Sequence, residues 1–401
     1  MKVLVQKFGG SSVARAEDRR LVVRHILKAR EGGYRVVVVV SAMGRRGAPY
    51  ATDTLLDLVA GQDISPRDKD LLLSCGEIIA TVVLAGALRE AGVPVVCLTG
   101  AQAGIITDDN FGDARIIRVE PRRIRQELER DQVVVVAGFQ GVTESGEITT
   151  LGRGGSDTTA AALGVALEAE AVEIFTDVDG LKTADPRIVS EARTLETVTY
   201  NELCQLAYEG AKVIHPRAVE IAREKNIPLK IRSTFSDGPG TLVVPWQPGA
   251  TGITISRDRI ITGITNVAGL TQLRVKLDGE REAREVFSTL AEANISVDFI
   301  NLFPEEAIFT VNNGVAERAV SLLQKKGFKV HARPGCAKVA AVGAGMRGVP
   351  GVMASIVNAL TQENITILQS ADSYTSIWCL VEEENMEKAV RALHRQFKLS
   401  A

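Results

Sequence analysis

The sequence predicts an α/β protein: a mostly parallel sheet sandwiched by helices, followed by two βαββαβ modules. Three observations carry that expectation. Short apolar runs, such as the valines from Val36 to Val40, alternate with helical stretches, as parallel strands buried on both faces do. Polar or glycine-rich motifs follow most of these runs, at the strand ends where open α/β sheets bind ligands. Near the C-terminus, Leu290-Ala-Glu-Ala-Asn294-Ile295-Ser-Val297 is echoed by Leu360-Thr-Gln-Glu-Asn364-Ile365-Thr-Ile367.

In chain order, Val3 to Phe8 is a strand that ends in Gly9-Gly10-Ser11-Ser12, and a helical pattern runs on to about Gly32. Val36 to Val40 ends in Ser41-Ala42-Met43-Gly44 and a polar loop that reaches Thr52 and Asp53. A helix containing Cys75-Gly76-Glu77 follows. Pro94 to Leu98, Val133 to Phe139 and Val172 to Phe175 read as further strands, the last ending in Thr176-Asp177-Val178-Asp179-Gly180. Ile148-Thr149-Thr150 leads into Leu151 to Thr159, LGRGGSDTT, and then an alanine-rich helix, Ala160 to Leu167. Ser236 to Gly252 is rich in Gly and Pro and marks a domain boundary. The expected domains are 1–245, 246–338 and 339–401, with 260–267 assignable to either of the last two.

The LGRGGSDTT stretch is the strongest chemical signal. Gly154 and Gly155 permit a tight turn, and Ser156, Asp157 and Thr158 sit where a helix N-terminus wants capping side chains. Free N–H groups there attract an anion, and Arg153 adds a fork matched to carboxylate or phosphate. In KFGGSS, Lys7 precedes Gly9 and Gly10, so this is no Walker A, yet it can cradle a polyphosphate. Alone it would read as a glycine turn beside a solvated lysine; a second anion site in the same chain favours two anionic substrates, such as ATP and a carboxylate. FTDVDGLKTADPR, Phe175 to Arg187, suits ribose and phosphates bridged by Mg2+. A carboxylate acceptor is already ionised at neutral pH, so the lack of an evident catalytic histidine is no obstacle.

Together KFGGSS, VSAMG, CGE, VAGFQG, TTLGRGGSDTTA, and TDVDG with TADPR resemble, in order, the motifs of the aspartokinases, which have the amino-acid-kinase fold. The tandem C-terminal modules resemble that family's ACT domains. The resemblance implies ATP-dependent phosphorylation of the side-chain carboxylate of L-aspartate, the first step toward lysine, diaminopimelate, threonine and methionine. It implies that Lys7, Gly9, Gly10 and Ser41, with Phe8 between them, contact the ATP phosphates or the phosphoryl in flight. Asp157 would orient Lys7. Thr52, Glu77, Arg153 and Ser156 would hold aspartate beside Gly154 and Gly155, with Glu77 at its amine. Phe175, Thr176, Leu181, Lys182, Thr183 and Ala184 would line the nucleotide pocket, continued by Asp185, Pro186 and Lys212. No protein-borne metal site is implied; Mg2+ accompanies ATP.

An effector site is implied at Asp278, Glu282 and Ala283, with Ser296, Val297 and Asp298. LDGEREA lacks the proline-glycine of many relatives, which with the MGRRGAPYATD loop resembles the diaminopimelate-inhibited isozyme of spore-forming Gram-positive bacteria. The expected effector is meso-diaminopimelate, or else lysine and/or threonine. A homodimer or higher oligomer through the ACT modules is expected.

Other classes fit less well. The formal net charge of −2 and the absence of a dense basic run argue against a nucleic-acid binder. Five scattered cysteines without a CxxC pair read as reduced thiols, and the four histidines lack metal-ligand spacing. The opening MKVLVQKFGG is too short in apolar residues for a signal peptide, and no stretch reads as a membrane span, so a cytoplasmic location is expected. Gly343 to Gly348 matches GxGxxG, a weak dinucleotide signal with too little chain after it for a doubly wound sheet. The remaining rivals are a silent amino-acid sensor and another kinase of the same fold.

Overall fold

The computed structural model describes residues 1–211, 213–245, 260–344, 346 and 349–400. The chain divides into two compact units. The first comprises Met1–Leu181, Thr194–Ala207 and Lys212–Ile255; the second comprises Lys182–Arg193, Tyr208–Ala211 and Ser256–Ala401. The chain thus enters the second unit twice before the Gly/Pro-rich stretch, which a single cut at 245/246 does not capture.

The first unit is built on an eight-stranded sheet. Its central strands, in spatial order, are Leu229–Ser233, Ala171–Thr176, Val3–Phe8, Arg35–Val40, Val133–Ala137 and Val95–Leu98, all parallel. Thr241–Val244 pairs antiparallel with Leu229–Ser233, and Thr197–Thr199 lies beyond it. Register places Phe8 opposite both Val40 and Phe175, so three motif loops leave the sheet side by side. Helices Ala16–Glu31 and Pro66–Glu90 seal one side with Val22, Ile26, Leu84 and Leu88, all fully buried. A separate four-stranded sheet (Ile116–Val119, Ile105–Thr107, Gln140–Thr143, Ile148–Thr150) is absent from the sequence reading. Its strands have only three or four residues, too few to show alternation.

One expectation needs correction. Helix Pro66–Glu90 does contain an 18-residue window of mean hydropathy 2.1, long and apolar enough to cross a membrane. Its buried residues explain that composition differently. Ala80, Leu84, Ala85 and Leu88 pack into the sheet's core, so apolarity here serves helix-on-sheet packing.

In the second unit, one six-stranded antiparallel sheet serves both modules. Strands Gly263–Lys276 and Val330–Val342 are long enough to be shared. Leu270 to Val275 pairs with the first part of Val330–Val342, and Gly263 to Val267 with its end. Helices Glu280–Glu292 and Asn313–Lys325 cover one core around Leu273, Val286 and Phe309. Helices Val352–Gln362 and Met386–Gln396 cover the other, around Val339, Ile356 and Leu393. Ile261 and Ile264 lie in that second core, so the 260–267 stretch completes the later module rather than the earlier one. The expected cut at 338/339 falls inside the shared strand. Ala184, Val189 and Ala192 also pack there.

Among the described residues, the GxGxxG stretch opens no helix. Gly345, Arg347 and Gly348 lie outside the described residues, but the next helix begins only at Val352. Gly343 has a packing reason instead: a side chain there would collide with the Ile260 and Ile261 backbone.

Candidate active site

Nine of the expected residues line a single cleft of about 520 Å³ in the first unit. Lys7 and Ser41 come from the ends of two adjacent strands, and Thr52 from the start of helix Thr52–Asp57. Glu77 lies within helix Pro66–Glu90, and the Arg153 to Asp157 turn supplies the rest. The cleft also holds Asp53, Lys69, Asp70 and Thr150.

The turn is fixed by backbone geometry. Gly154 adopts φ 71 as the N-cap of helix Gly155–Leu167, and a side chain there would strike the His215 ring. The first-turn N–H groups of a helix lack intrahelical acceptors, so Ser156 and Asp157 present donors and the positive end of the helix dipole to the cleft, while the Gly155 N–H is taken by Gly152 O at 3.0 Å. Asp157 Oδ1 is 2.6 Å from Lys7 Nζ, and both side chains are 12% exposed. The His215 N–H donates to Asp157 Oδ2 at 3.3 Å.

Glu77 is buried to 2% exposure. The Ala42 N–H donates to its Oε1 at 3.0 Å, whereas Oε2 has no partner among the described residues. Burial pushes its carboxyl up to about 8, the Ala42 N–H acting the other way. An orphaned carboxylate oxygen in a cleft wall is a seat for a cationic group.

At the glycine turn, the Gly9 N–H donates to Phe175 O at 3.3 Å and the Gly44 N–H to Gly10 O at 2.9 Å. A Cβ on Gly10 would stand 2.5 Å from Ala42 O and 2.6 Å from Gly44 O, so only glycine fits.

Among the expected nucleotide contacts, several side chains are engaged elsewhere. Phe8 and Phe175 are fully buried and stacked at 4.6 Å, so only their backbones are available to a nucleotide. Leu181 is buried likewise, its N–H bonded to Thr241 Oγ1. Thr183 is fully buried in the second unit, where its Oγ1 is hydrogen-bonded to His394 Nε2 at 2.9 Å; Ala184 packs in that unit's core. Asp185 is held by Arg187, which keeps its carboxyl below the usual range. Lys182 and Pro186 belong to the same segment. Thr176 Oγ1 donates to Asp177 Oδ1 at 3.1 Å. Lys212 lies outside the described residues.

In the second unit, the Asp278 N–H donates to Glu282 Oε2 at 2.6 Å, at the start of helix Glu280–Glu292. Ala283 packs in the first module's core, leaving only its backbone for an effector. Ser296 is exposed and Val297 half-buried, and Asp298 Oδ2 lies 2.7 Å from Lys338 Nζ.

Sequence reasoning missed two residues. His215, N-cap of helix Pro216–Glu224, was set aside with the other histidines for want of metal spacing; it works through its N–H and ring face instead. The available signal was His-Pro at a helix start, with Pro at N1. Asp70, 1% exposed, accepts from Thr150 N–H and Oγ1, both at 2.7 Å, and from the Gly112 N–H at 2.9 Å. It braces the floor of the cleft, and nothing in its local sequence marks it.

Comparison with known proteins gives a consistent result. Residues 2–233 match the amino acid kinase family, and residues 331–395 match the ACT domain. The chain is 52% identical over 404 residues to aspartokinase 1 of Bacillus subtilis (strain 168), covering all of both chains. It is 42% identical to an aspartokinase of Mycolicibacterium smegmatis, covering 100% of this chain and 97% of that one. The structure resembles E. coli aspartokinase III in complex with aspartate and ADP (R-state), with a TM-score of 0.79 and 27% identity over 98% of this chain and 99% of that one. It also resembles the same enzyme with lysine and aspartate (T-state), at a TM-score of 0.76 and 28% identity over 99% of this chain and 100% of that one.

Proposed function

Since the chain belongs to the amino acid kinase family and, within it, to the aspartokinases, we propose that the Lys7–Asp157 cleft is where it phosphorylates L-aspartate. The reaction of an aspartate kinase moves the terminal phosphoryl group of ATP onto the side-chain carboxylate, giving 4-phospho-L-aspartate. One observation supports the placement above others: an unpartnered Glu77 oxygen, Arg153 and a helix N-terminus share one cleft with Lys7. An amino acid with a second carboxylate needs those three features, one for each charge.

In this reading Glu77 takes the ammonium group and Arg153 a carboxylate, the latter through its bidentate fork. The acceptor carboxylate is ionised at neutral pH, so catalysis rests on positioning and charge neutralisation. Lys7, steered by Asp157, stabilises charge on the transferring phosphoryl, and the Gly9–Gly10 turn seats the nucleotide phosphates. Among the described residues no three His, Cys, Asp or Glu are grouped to hold a metal, so Mg2+ fits as an ion carried by the phosphates, whose charge it neutralises. A cytoplasmic location, where ATP and aspartate are supplied, goes with this reading.

The ACT modules are read as the seat of feedback inhibition by meso-diaminopimelate, with lysine and/or threonine as the alternative effectors. The Asp278–Glu282 turn, together with Ser296 to Asp298, is the proposed effector site. Self-association through these modules is supported by exposed Leu302 and Phe303, together with Ile300 on edge strand Asp298–Leu302. A monomeric mass at micromolar protein would count against it. An inhibition panel of the three amino acids separates the effectors; inhibition by lysine alone would sink the diaminopimelate reading.

The decisive assay traps the acyl phosphate with hydroxylamine in the presence of ATP and Mg2+, offering aspartate, glutamate, N-acetylglutamate and UMP separately. Hydroxamate from aspartate alone is the expected result. Folded, effector-free protein that makes none from aspartate would overturn the assignment.

A further inference from the structure

The loop after strand Arg35–Val40 carries an arginine that the reading above leaves unused. We propose that Arg45 is a phosphate-binding residue of the nucleotide site, held on Asp177 until the nucleotide's terminal phosphates compete for it. The inference rests on seating those phosphates at the Gly9–Gly10 turn.

The argument starts from three neighbouring strands. The glycine turn leaves the middle one, Val3–Phe8, and is bonded to both flanking chains. On one side the Ser41 N–H donates to Phe8 O at 3.2 Å and the Gly44 N–H to Gly10 O at 2.9 Å, which lays residues 41–44 along the turn. On the other side the Gly9 N–H donates to Phe175 O at 3.3 Å. Arg45 follows Gly44, and Asp177 comes two residues after Phe175. The two side chains meet from opposite flanks, with Arg45 Nη2 2.5 Å from Asp177 Oδ2. Their ion pair therefore links the two chains that border the phosphate turn.

The pair is poorly suited to a purely structural role. The Arg45 side chain is 76% exposed and that of Asp177 43%, so the contact is screened and easily exchanged. A polyphosphate offers the guanidinium more charge and a bidentate geometry. Asp177 is not stranded by the exchange, because Thr176 Oγ1 donates to its Oδ1 at 3.1 Å. The loop has other anchors. Arg46 Nη2 and Nε donate to Asp57 at 2.7 and 3.2 Å, and the Gly47 N–H donates to Thr54 Oγ1 at 3.1 Å. Arg46 is thus committed to the helix that carries Thr52, while among the described residues the Arg45 side chain makes only the exchangeable contact.

Equilibrium binding of ADP and AMP, in EDTA so that no cation intervenes, tests the proposal on the full-length protein. Arg45→Ala is expected to weaken ADP about tenfold, as loss of a charge-assisted hydrogen bond does, while AMP changes less than twofold. Arg45→Lys should recover part of the loss. Asp177→Asn, which frees Arg45, should hold or tighten ADP. If the pair only staples the loop, Arg45→Ala and Asp177→Asn will weaken ADP and AMP alike, and the proposal falls. It falls equally if Arg45→Ala leaves ADP binding unchanged while Lys7→Ala weakens it. Should Lys7→Ala also leave ADP binding and turnover intact, the seating of phosphates at the glycine turn is wrong, and Arg45 goes with it.

Discussion

Each unit contains a lysine paired with a carboxylate and almost withdrawn from water, yet the two pairs are built for opposite ends. In the first unit Lys7 meets Asp157 at 2.6 Å in the wall of a cleft. In the second, Lys338 lies 2.9 Å from Glu209 and 2.7 Å from Asp298, with its ammonium 5.9 Å from the Trp378 ring centroid. Burial would lower the Lys338 pKa, but attraction to Glu209 and hydrogen bonds to Asp298 and Glu209 outweigh it and leave the pKa raised. Its charge is satisfied by the protein. That of Lys7 is shared with one carboxylate and left facing space where anions fit. The same two residue types therefore serve structure where the surroundings close over them and chemistry where they do not.

That contrast predicts opposite outcomes for the same mutation. Lys338→Ala should cost about 3 kcal/mol of stability, the low end for breaking a buried pair, because the Asp298 side chain is 61% exposed and water reaches that side. Denaturant unfolding measures it, and turnover below the transition should stay near wild type. A stability loss under 1 kcal/mol would mean the pair is as dispensable as a surface one. Lys7→Ala should do the reverse, lowering turnover at least a hundredfold, about 2.7 kcal/mol of transition-state stabilisation, with little change in the unfolding midpoint. Near-wild-type turnover would remove Lys7 from the mechanism and dissolve the comparison.

The cleft was largely legible in the sequence because its chemistry is local. Gly154, Ser156 and Asp157 act through a helix start, and Lys7 through its place at a strand end before two glycines; such features travel with a few consecutive residues. The strands were legible for a similar reason, since residues 36–40 and Val133–Ala137 are unbroken apolar runs. What stayed hidden depends on partners far along the chain. Thr183 sits in a polar loop motif, but Val189 and Ala192, a few residues on, carry the segment into the second unit's core. His215 meets Asp157 across 58 residues. Glu77 was expected at the substrate's amine, but nothing in its own helix announces that the fold buries it.

That burial gives the comparison a third test, through pH. The folded-state pKa of Glu77, about 8, lies above its ordinary value of 4.5, so the folded protein holds a proton that the unfolded chain releases. The position's contribution to stability therefore falls as pH rises from about 4.5 through 8. An ammonium at Oε2 favours the ionised form, so aspartate binding near pH 7 should expel a proton. Glu77→Gln should abolish that release and flatten the slope. It should also raise the aspartate KM about tenfold, as a charged hydrogen bond is lost. Calorimetry in two buffers of different protonation heat reads the proton directly; the same release in the variant would place the titrating group elsewhere.

The smallest effect falls on a residue of the second unit. Thr183 was expected at the nucleotide, but its hydroxyl is shared between His394 Nε2 at 2.9 Å and the Arg193 N–H at 3.2 Å, with no exposed surface. Burial lowers the pKa of His394, Glu191 acting the other way, so near neutral pH this is a contact between uncharged groups and worth correspondingly little. Thr183→Val keeps the volume and removes the hydroxyl. It should cost about 1 kcal/mol of stability and leave ADP affinity within twofold. A tenfold loss of ADP binding at unchanged stability would return Thr183 to the ligand-facing group. The opposite pattern would put it with Lys338, among residues whose polar groups the protein answers for itself.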